Sequence, residues 1–456
     1  METVLDEATL QHFRAGLRGA LIRPGDASYD AARTVWNGMI DKRPALIVRC
    51  AGVADVISAV QFARTHRLLV SVRGGGHNIP GNAVCDDGLM IDLSGMKSVR
   101  VDPIQRTARA EGGVTWGELD HETQRFGLAT TGGTDATTGI AGLTLGGGLG
   151  WLAGKYGLAC DNLLSVDLVT ADGRFLTASA TDNADLFWGV RGGGGNFGVV
   201  TSFEYRLHPV GPVLAGVVMH PFAQAKEVLR FYRDFSRAIP DELNTVGLLA
   251  TLPDGVPVVA IAVCYTGAIA AGEEILRPVR AFGVPLVDQI RPMPYPEIQR
   301  LVGAMVLPGR QNYVKSSFVT DISDAAIDTL VTHFMIVPSP LTVVIFQQLG
   351  NTANRVPADA TAFSHREARY ELLMQSIWLD PADAARNVQW TRTLAEMMHP
   401  FTTGRPYVNQ MGIEAEEGAD RIKAAYGPNY ERLVALKNTY DPTNLFRHNQ
   451  NIKPTA

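Results

Sequence analysis

The chain lacks what several large functional classes require. It has four cysteines in 456 residues, Cys50, Cys85, Cys160 and Cys264, and no C-x-x-C pair, so the usual thiolate zinc sites are excluded and no metal is expected. Isolated cysteines in apolar surroundings read as buried free thiols. Charged residues make up 19% of the chain, the net charge is -5 and there is no lysine/arginine block, which argues against a nucleic-acid partner. No apolar run is long enough to span a bilayer. The acidic opening Met1-Glu2-Thr3-Val4-Leu5-Asp6-Glu7 has no apolar signal core. A cytoplasmic protein without a membrane partner is the expectation. P-loop, G-x-S-x-G and H-E-x-x-H motifs are also missing, so kinase, serine-hydrolase and zinc-peptidase readings have nothing to stand on. There is no internal repeat and no low-complexity stretch.

What is plentiful is glycine, 46 residues, somewhat above the average of about 7%. The excess gathers in three clusters: Arg73-Gly74-Gly75-Gly76-His77-Asn78, the stretch Thr130 to Gly150, and Arg191 to Gly198. Clustering points to contact between backbone and ligand rather than to general flexibility. At 456 residues the chain exceeds one ordinary core, and at 46% hydrophobic it is globular, so two or three units are expected.

Periodicity places the clusters. Asp55 to Arg67 reads as a helix, with Val56, Ala59, Val60 and Ala63 on one face. The apolar run Leu68 to Val72 reads as a strand leading into the first glycines, with His77 directly behind them. Leu89 to Leu93 and Thr107 to Ala110 read as short strands, and Trp116 to Phe126 as a helix. Val199 to Leu207, β-branched and aromatic, is a strong strand signal straight after the third cluster; His208-Pro209 ends this α+β unit. From about Val210 to Gly404 the glycine clusters vanish. Strand-like Val258 to Tyr265 and Leu341 to Phe346 alternate with helix-like Asp324 to Phe334 and Ala384 to Met398, a second α+β unit. A helix over Asn429 to Tyr440 closes the chain, stopped by Asp441-Pro442-Thr443-Asn444.

Gly193-x-Gly195-x-x-Gly198 matches the dinucleotide fingerprint by letter. That motif must follow a strand and open a helix, whereas here it precedes a strand, and Val213 to Met219 holds no acid. Gly148-x-Gly150-x-x-Ala153 fails similarly, because glycine rather than strand precedes it. The chain is glycine-rich without a Rossmann fold, and backbone nests for a pyrophosphate are the natural reading.

Taken together, Arg73 to Asn78, Leu145 to Gly150, Lys155 to Asn162, Leu186-Phe187-Trp188, Arg191 to Gly198 and the tail Tyr426 to Ile452 resemble, in order, the vanillyl-alcohol-oxidase superfamily, and within it the berberine-bridge-enzyme-like FAD-linked oxidases. The resemblance implies an α+β chain in three parts. A two-subdomain FAD-binding domain of the PCMH type spans 1–212 (core about 42–212). An α+β substrate domain with an antiparallel sheet spans 213–410. A segment over 411–456 packs back on the first part.

The resemblance also implies site residues. His77 stands where the family joins its histidine covalently to the flavin 8α-methyl, which prevents dissociation and makes the flavin a stronger hydride acceptor. Arg73, Gly74, Gly75, Gly76, Asn78, Gly133, Thr134, Thr138, Gly139, Gly142, Leu143, Gly148, Gly198, Val200 and Asn449 are the other implied FAD contacts. Asp161 and Asn162 either bond nearby or cap a loop. Many relatives carry a second, cysteinyl link; here Asp135 falls at that position, so a single histidyl link is expected, as in bacterial singly linked members. Asp135 either serves as a base or amine-binding carboxylate or caps a turn. Thr138 matches a position that governs oxygen access, and its valine-like size favours an oxidase. Tyr407-Val408-Asn409 resembles a Y-x-N strand that turns Tyr407 and Asn409 to one face; a tyrosine of lowered pKa there would take a substrate proton, the other reading being a core tyrosine. His365-Arg366 recurs in the family as structure. Gly350 to Asn354 departs from the family's glycine-rich form, read as reshaping the substrate pocket.

The implied activity is oxidation of an alcohol or amine carbon of a small organic molecule, with hydride passing to flavin N5 and dioxygen returning it to the oxidised state with release of peroxide. The catalytic candidates are Tyr407, Asn409 and Asp135, and the protein is expected as a monomer or homodimer. An oxidative cyclase or oxygenase of secondary metabolism shares the motifs and stays open. So does a non-enzymatic flavin-binding protein.

Overall fold

The computed structural model describes residues 5–303, 307–412 and 414–455. Helix Val53–Thr65 forms as the periodicity predicts and buries Val56, Ala59, Val60 and Ala63. It joins strand Leu46–Arg49 to strand Val70–Arg73, and both lie parallel to Leu89–Asp92 between them, with Ala20–Ile22 antiparallel at the edge. Parallel strands need such a crossover. The glycine cluster at 74–76 is therefore thrown from the end of a strand. A second sheet is antiparallel, in the order Val99–Asp102, Thr107–Glu111, Val199–Arg206, Leu163–Val169, Phe175–Ser179. Its central strand follows the third glycine cluster without a gap.

The middle region builds one large antiparallel sheet. Its strands run in the order Val287–Asp288, Val213–Pro221, Pro257–Tyr265, Leu243–Thr251, Val343–Gln348, Tyr370–Trp378, Gln311–Val319, with Arg291–Met293 also on Val213–Pro221. Its two faces separate with the strand period of two. Leu249, Val259, Ile261, Val344, Phe346, Tyr370, Leu372 and Met374 pack beneath helices Ala225–Ser236, Asp324–Phe334 and Ala384–Met398 in one core. The residues between them, Val246, Leu248, Ala262, Val343, Ile345, Gln347, Glu371, Leu373 and Gln375, face a cavity. Both helices read from periodicity at 324–334 and 384–398 form over those residues.

The tail returns to the glycine-rich part. Helix Tyr430–Tyr440 buries Leu433, Val434 and Leu436 in the same core as Leu186, Phe187 and Phe197. Fully buried Lys437 and Asp441 pair at 2.7 Å, and the Lys437 ammonium also donates to the Asn196 carbonyl at 2.9 Å. The third glycine cluster is thereby tied to the chain's end.

One expectation is corrected here. Residues 407–409 are not a strand: Val408–Gln410 is a single 3-10 turn. The segment runs beside Gln311–Val319, where Phe318 N–H donates to the Arg405 carbonyl, but Pro406 has no N–H to continue a ladder, and Tyr407 N–H donates to the Ser316 hydroxyl instead, at 3.3 Å.

Candidate functional site

A cavity of about 400 Å³ lies between the large sheet and the two smaller ones. All three glycine clusters reach its wall: Gly74, Gly75, Gly76, His77 and Asn78 from the first; Gly133, Thr134, Asp135, Thr138, Gly139, Gly142 and Leu143 from the second; Gly194, Gly195 and Gly198, followed by Val200, from the third. Tyr407, Asn409 and Asn449 also line it. Two predicted contacts do not. The Arg73 side chain turns away to donate to the Ala32 carbonyl at 2.7 Å and braces the first loop from behind. Gly148 stands behind the wall, its N–H donating to the Tyr407 hydroxyl at 2.9 Å. Asp161 is taken up by a buried ion pair with Arg366 (2.7 Å) and by the Leu158 N–H, and Asn162 by the Tyr156 and Leu158 carbonyls, which is the loop-capping alternative. Gly350 to Asn354 does not reach the cavity: Asn354 donates to the Arg366 and Ala368 carbonyls and Asn351 to that of Ile239.

The glycines are there for two different reasons. A Cβ on Gly75 would strike the backbone of Gly139, and one on Gly139 that of Gly75; these two let the first and second loops touch. A Cβ on Gly142 or Gly195 would meet no protein atom within 4 Å, and neither has a positive φ. Nothing in the protein requires glycine at those two positions; a side chain there would stand in the cavity. Buried polar atoms without a protein partner tell the same story. Asn82 Nδ2, Trp151 Nε1, Gln347 Nε2, Glu371 Oε1 and Asn449 Oδ1 are all unpaired, and all five residues line this cavity. Among its described lining residues there is no lysine or arginine.

His77 stacks on Trp36, ring centroids 5.2 Å apart. Its Nε2 lies 3.1 Å from the Thr137 hydroxyl and its Nδ1 3.4 Å from that of Thr138. Burial pushes the imidazole pKa down, and the Asp135 charge and the Thr137 backbone oppose it. Asp135 accepts from Thr137 N–H at 2.9 Å and from the Thr137 hydroxyl at 3.0 Å, so the turn-capping reading of Asp135 is realised and its carboxylate is coupled to His77 through Thr137.

Tyr407 is corrected in its chemistry. Its hydroxyl accepts from Gly148 N–H and from Asn409 Nδ2, both at 2.9 Å, which uses both lone pairs and leaves only its proton to offer. Burial, reinforced by the Glu371 charge, pushes its pKa above the usual range. It is a donor, not a ready base. Asn409 also donates to the Leu143 carbonyl at 3.0 Å and so fixes Tyr407 against the second glycine cluster. His365 bonds the Ala425 carbonyl at 2.6 Å and stacks on Phe318, a structural role.

Sequence reasoning passed over Glu371. It is 1% exposed on a fully buried strand, and burial pushes its pKa up to about 8 against a weaker opposing hydrogen bond from Ser316. Gln347 stands opposite it in register, and Val246 opposite Gln347. The next row of the wall is Leu248, Ile345 and Leu373. Trp36, Trp151, Gln347 and Gln375 went unnoticed with it. None carries a local signal: strand pairing brings Glu371, Gln347 and Gln375 together, and Trp36 and Trp151 reach the cavity from loops.

A cavity with glycine loops on one side, a mostly apolar sheet on the other and a histidine on its wall suits a flavin, and the comparisons place the chain among flavin-binding oxidoreductases. A family model described as FAD binding domain matches residues 44–179, and one described as berberine and berberine like matches 406–453. An FAD-linked oxidoreductase of Dictyostelium discoideum is 33% identical across 98% of this chain and 97% of its own length. (R)-6-hydroxynicotine oxidase of Paenarthrobacter nicotinovorans is 32% identical across 96% and 97%. The solved structure of 6-hydroxy-D-nicotine oxidase from Arthrobacter nicotinovorans matches with a TM-score of 0.88 at 31% identity, covering 96% of this chain and 98% of that one. Physcomitrella patens BBE-like 1 matches at 0.87 and 26% identity, covering 96% and 97%. The chain belongs to the berberine-bridge-like FAD-linked oxidoreductases, with their α+β fold and PCMH-type FAD-binding domain.

Proposed function

We propose that this protein is an FAD oxidase whose flavin is joined through His77 and whose substrate, a small organic alcohol or amine, occupies the space between flavin and large sheet. The observation that carries it is the pairing of open glycines with unpaired polar atoms around one cavity, with His77 on its wall. On the cofactor side, Gly74, Gly75, Gly76, Asn78, Gly133, Thr134, Gly139, Gly142, Leu143, Gly198, Val200 and Asn449 would hold FAD, with backbone N–H groups facing the diphosphate where no cationic side chain does. The bound flavin supplies hydride acceptance from the substrate carbon and transfer of the electrons to dioxygen, giving peroxide. Thr138, of valine size at the wall, supports oxygen access.

On the substrate side, Glu371 receives the substrate proton. Of the carboxylates at the wall it is the one with an oxygen unpaired; Asp135 is engaged by Thr137. Tyr407 donates toward the developing negative charge and Asn409 keeps it in place. Leu248, Ile345, Leu373 and Trp36 exclude water around the reacting carbon.

The test is the intact mass of the denatured protein beside that of His77→Ala. The wild type alone is expected to carry the added mass of one FAD, and the native wild type to release peroxide with a substrate. Wild-type protein whose flavin is entirely lost on denaturation refutes the covalent link, and flavin that no alcohol or amine reduces refutes the oxidase reading.

A further inference from the structure

The front of the large sheet is apolar in its middle and polar at both ends. Facing the cavity, Gln347 stands beside Glu371, then Ile345 beside Leu373, then Val343 beside Gln375. The middle row continues to Leu248 on the next strand, and Ile345 and Leu373 pack with Trp36 and Ile79. Gln375 lies on the same strand as Glu371, roughly 13 Å away at a rise of about 3.4 Å per residue. Its amide has one orientation, set from the backbone outward. The Arg310 carbonyl, which can only accept, takes hydrogens from Gly38 N–H and from Asn312 Nδ2, both at 2.8 Å. The nitrogen of the Asn312 amide therefore faces Arg310, and its Oδ1 faces Gln375. Gln375 has to meet that oxygen with a hydrogen, and its Nε2 does so at 3.0 Å. The Asn312 backbone is held in turn. Its N–H donates to Asn37 Oδ1 at 3.0 Å and its carbonyl accepts from Asn37 Nδ2 at 2.9 Å, while the same Nδ2 donates to the Ile79 carbonyl at 2.8 Å. All three side chains are buried. With Nε2 committed to Asn312, Gln375 keeps Oε1, an acceptor to which no described residue donates, on the cavity wall.

We propose that Gln375 is a specificity-determining residue whose amide oxygen accepts a hydrogen bond from the far end of the substrate. This rests on the oxidase reading given above and narrows its substrate class to elongated alcohols or amines. The reacting carbon lies at the Glu371 end, an apolar body about two rings long covers Leu248, Ile345 and Leu373, and an uncharged hydroxyl or N–H reaches Gln375. An anionic group at that end would face a lone pair with no lysine or arginine among the described lining residues to offset it. A group without a hydrogen to give leaves Oε1 desolvated and unpaired, and that penalty exceeds what the bond contributes when made; a buried amide discriminates in this way. Asn312 and Asn37 are positioning residues: they hold the amide and do not line the cavity.

The test titrates the holoenzyme with three ligands: biphenylcarboxamide, and the same molecule carrying a hydroxyl or a methoxy group para on the distal ring. The carboxamide carbon has no hydrogen to transfer, so these ligands bind without turning over, and their dissociation constants are read from the shift in flavin absorbance. In the wild type the hydroxyl ligand is expected to bind about tenfold or more tightly than the other two. In Gln375→Leu, and in Asn312→Leu, which keeps the backbone bonds to Asn37, the three are expected to bind alike. Thermal melts check that each variant is folded, and the wild-type comparison needs no variant. Equal affinities in the wild type, a methoxy ligand as tight as the hydroxyl one, a preference that survives Gln375→Leu, or no binding of any of the three overturns the proposal. Preferred binding of the hydroxyl ligand, while the matching hydroxybiphenylmethanol leaves the flavin oxidised, overturns the oxidase reading and leaves the Gln375 contact standing.

Discussion

The two kinds of glycine at this site make opposite demands on a methyl group. Gly142 sits inside helix Ile140–Leu145 with open space ahead of it. Gly142→Ala is expected to leave the fold unharmed or stabilise it by about 0.5–1 kcal/mol, while the ratio of flavin to protein absorbance falls. Gly75→Ala forces two loops apart and is expected to cost about 1–3 kcal/mol as overpacking, read by urea unfolding. If both variants lose stability and flavin alike, the distinction is wrong. Glu371 offers a second expectation at this scale. Its acid form persists up to about pH 8, and a proton acceptor works only when ionised, so kcat/KM is expected to rise with pH through that region. Tyr407 and Ser316 are the titratable and polar groups against it, and His77 and Asp135 share its cavity. Glu371→Gln is expected to lose that rising limb and about 10²-fold or more in rate; an unchanged limb assigns it to another group. The glycines and His77 were legible in the sequence because their pattern is local. Glu371 was not, since in Tyr-Glu-Leu-Leu-Met-Gln it reads as one acid in a strand, and only Gln347 on the neighbouring strand makes it part of a site.

Helices Trp116–Thr123 and Tyr295–Gly303 meet over a carboxyl. Asp120 is 1% exposed and accepts from Gln299 Nε2 at 3.3 Å, while the Gln299 carbonyl holds Ala136 N–H in the second glycine cluster. Burial pushes the Asp120 pKa up to about 7, against the Gln299 hydrogen bond and the charge of Arg300; Tyr295 is its titratable neighbour. In the unfolded chain the carboxyl releases its proton near pH 4, and in the folded protein near 7. Between these values the unfolded state binds fewer protons, so stability falls as pH rises, by on the order of 4 kcal/mol over the window. Asp120→Asn is expected to remove that loss, so that its melting temperature overtakes the wild type's between pH 5 and 8. Parallel melting curves across that range would reject it. At this scale helical periodicity was legible wherever one face is apolar, as over 324–334 and 384–398. The segment at 407–409 was not, because alternation suggested a strand while Pro406 removed the hydrogen bond that a strand needs. Strands Leu243–Thr251, Gln311–Val319 and Tyr370–Trp378 also escaped, each being nearly all buried and so without the alternation that betrays a half-exposed strand.

Over the whole molecule, the cavity wall is assembled from residues as far apart in the chain as Trp36 and Gln450. A ligand that bridges such distant segments binds the folded state and not the unfolded one. A flavin held only by affinity should therefore make stability depend on its concentration, by about 2.7 kcal/mol at a hundredfold excess over Kd. In His77→Ala the melting temperature is expected to climb with added FAD, whereas in the wild type it is expected to be flat. A wild type that responds equally means its flavin is free to leave. The division into a glycine-rich part and a large-sheet part was visible in where glycine clusters stop. How the two face each other was not, because it depends on strand order and on a tail that crosses back through Lys437 and Asp441.

The large sheet has a further consequence. Neighbours along each strand answer to different masters: Val344, Phe346, Leu372 and Met374 to the helices behind, Val343, Ile345, Gln347, Glu371, Leu373 and Gln375 to whatever enters in front. Replacing the second set leaves the first untouched. Such a panel can drift from one substrate to the next by single substitutions at alternate positions, without passing through an unfolded ancestor. A sheet built this way can diversify in what its front face accepts while its architecture stands still.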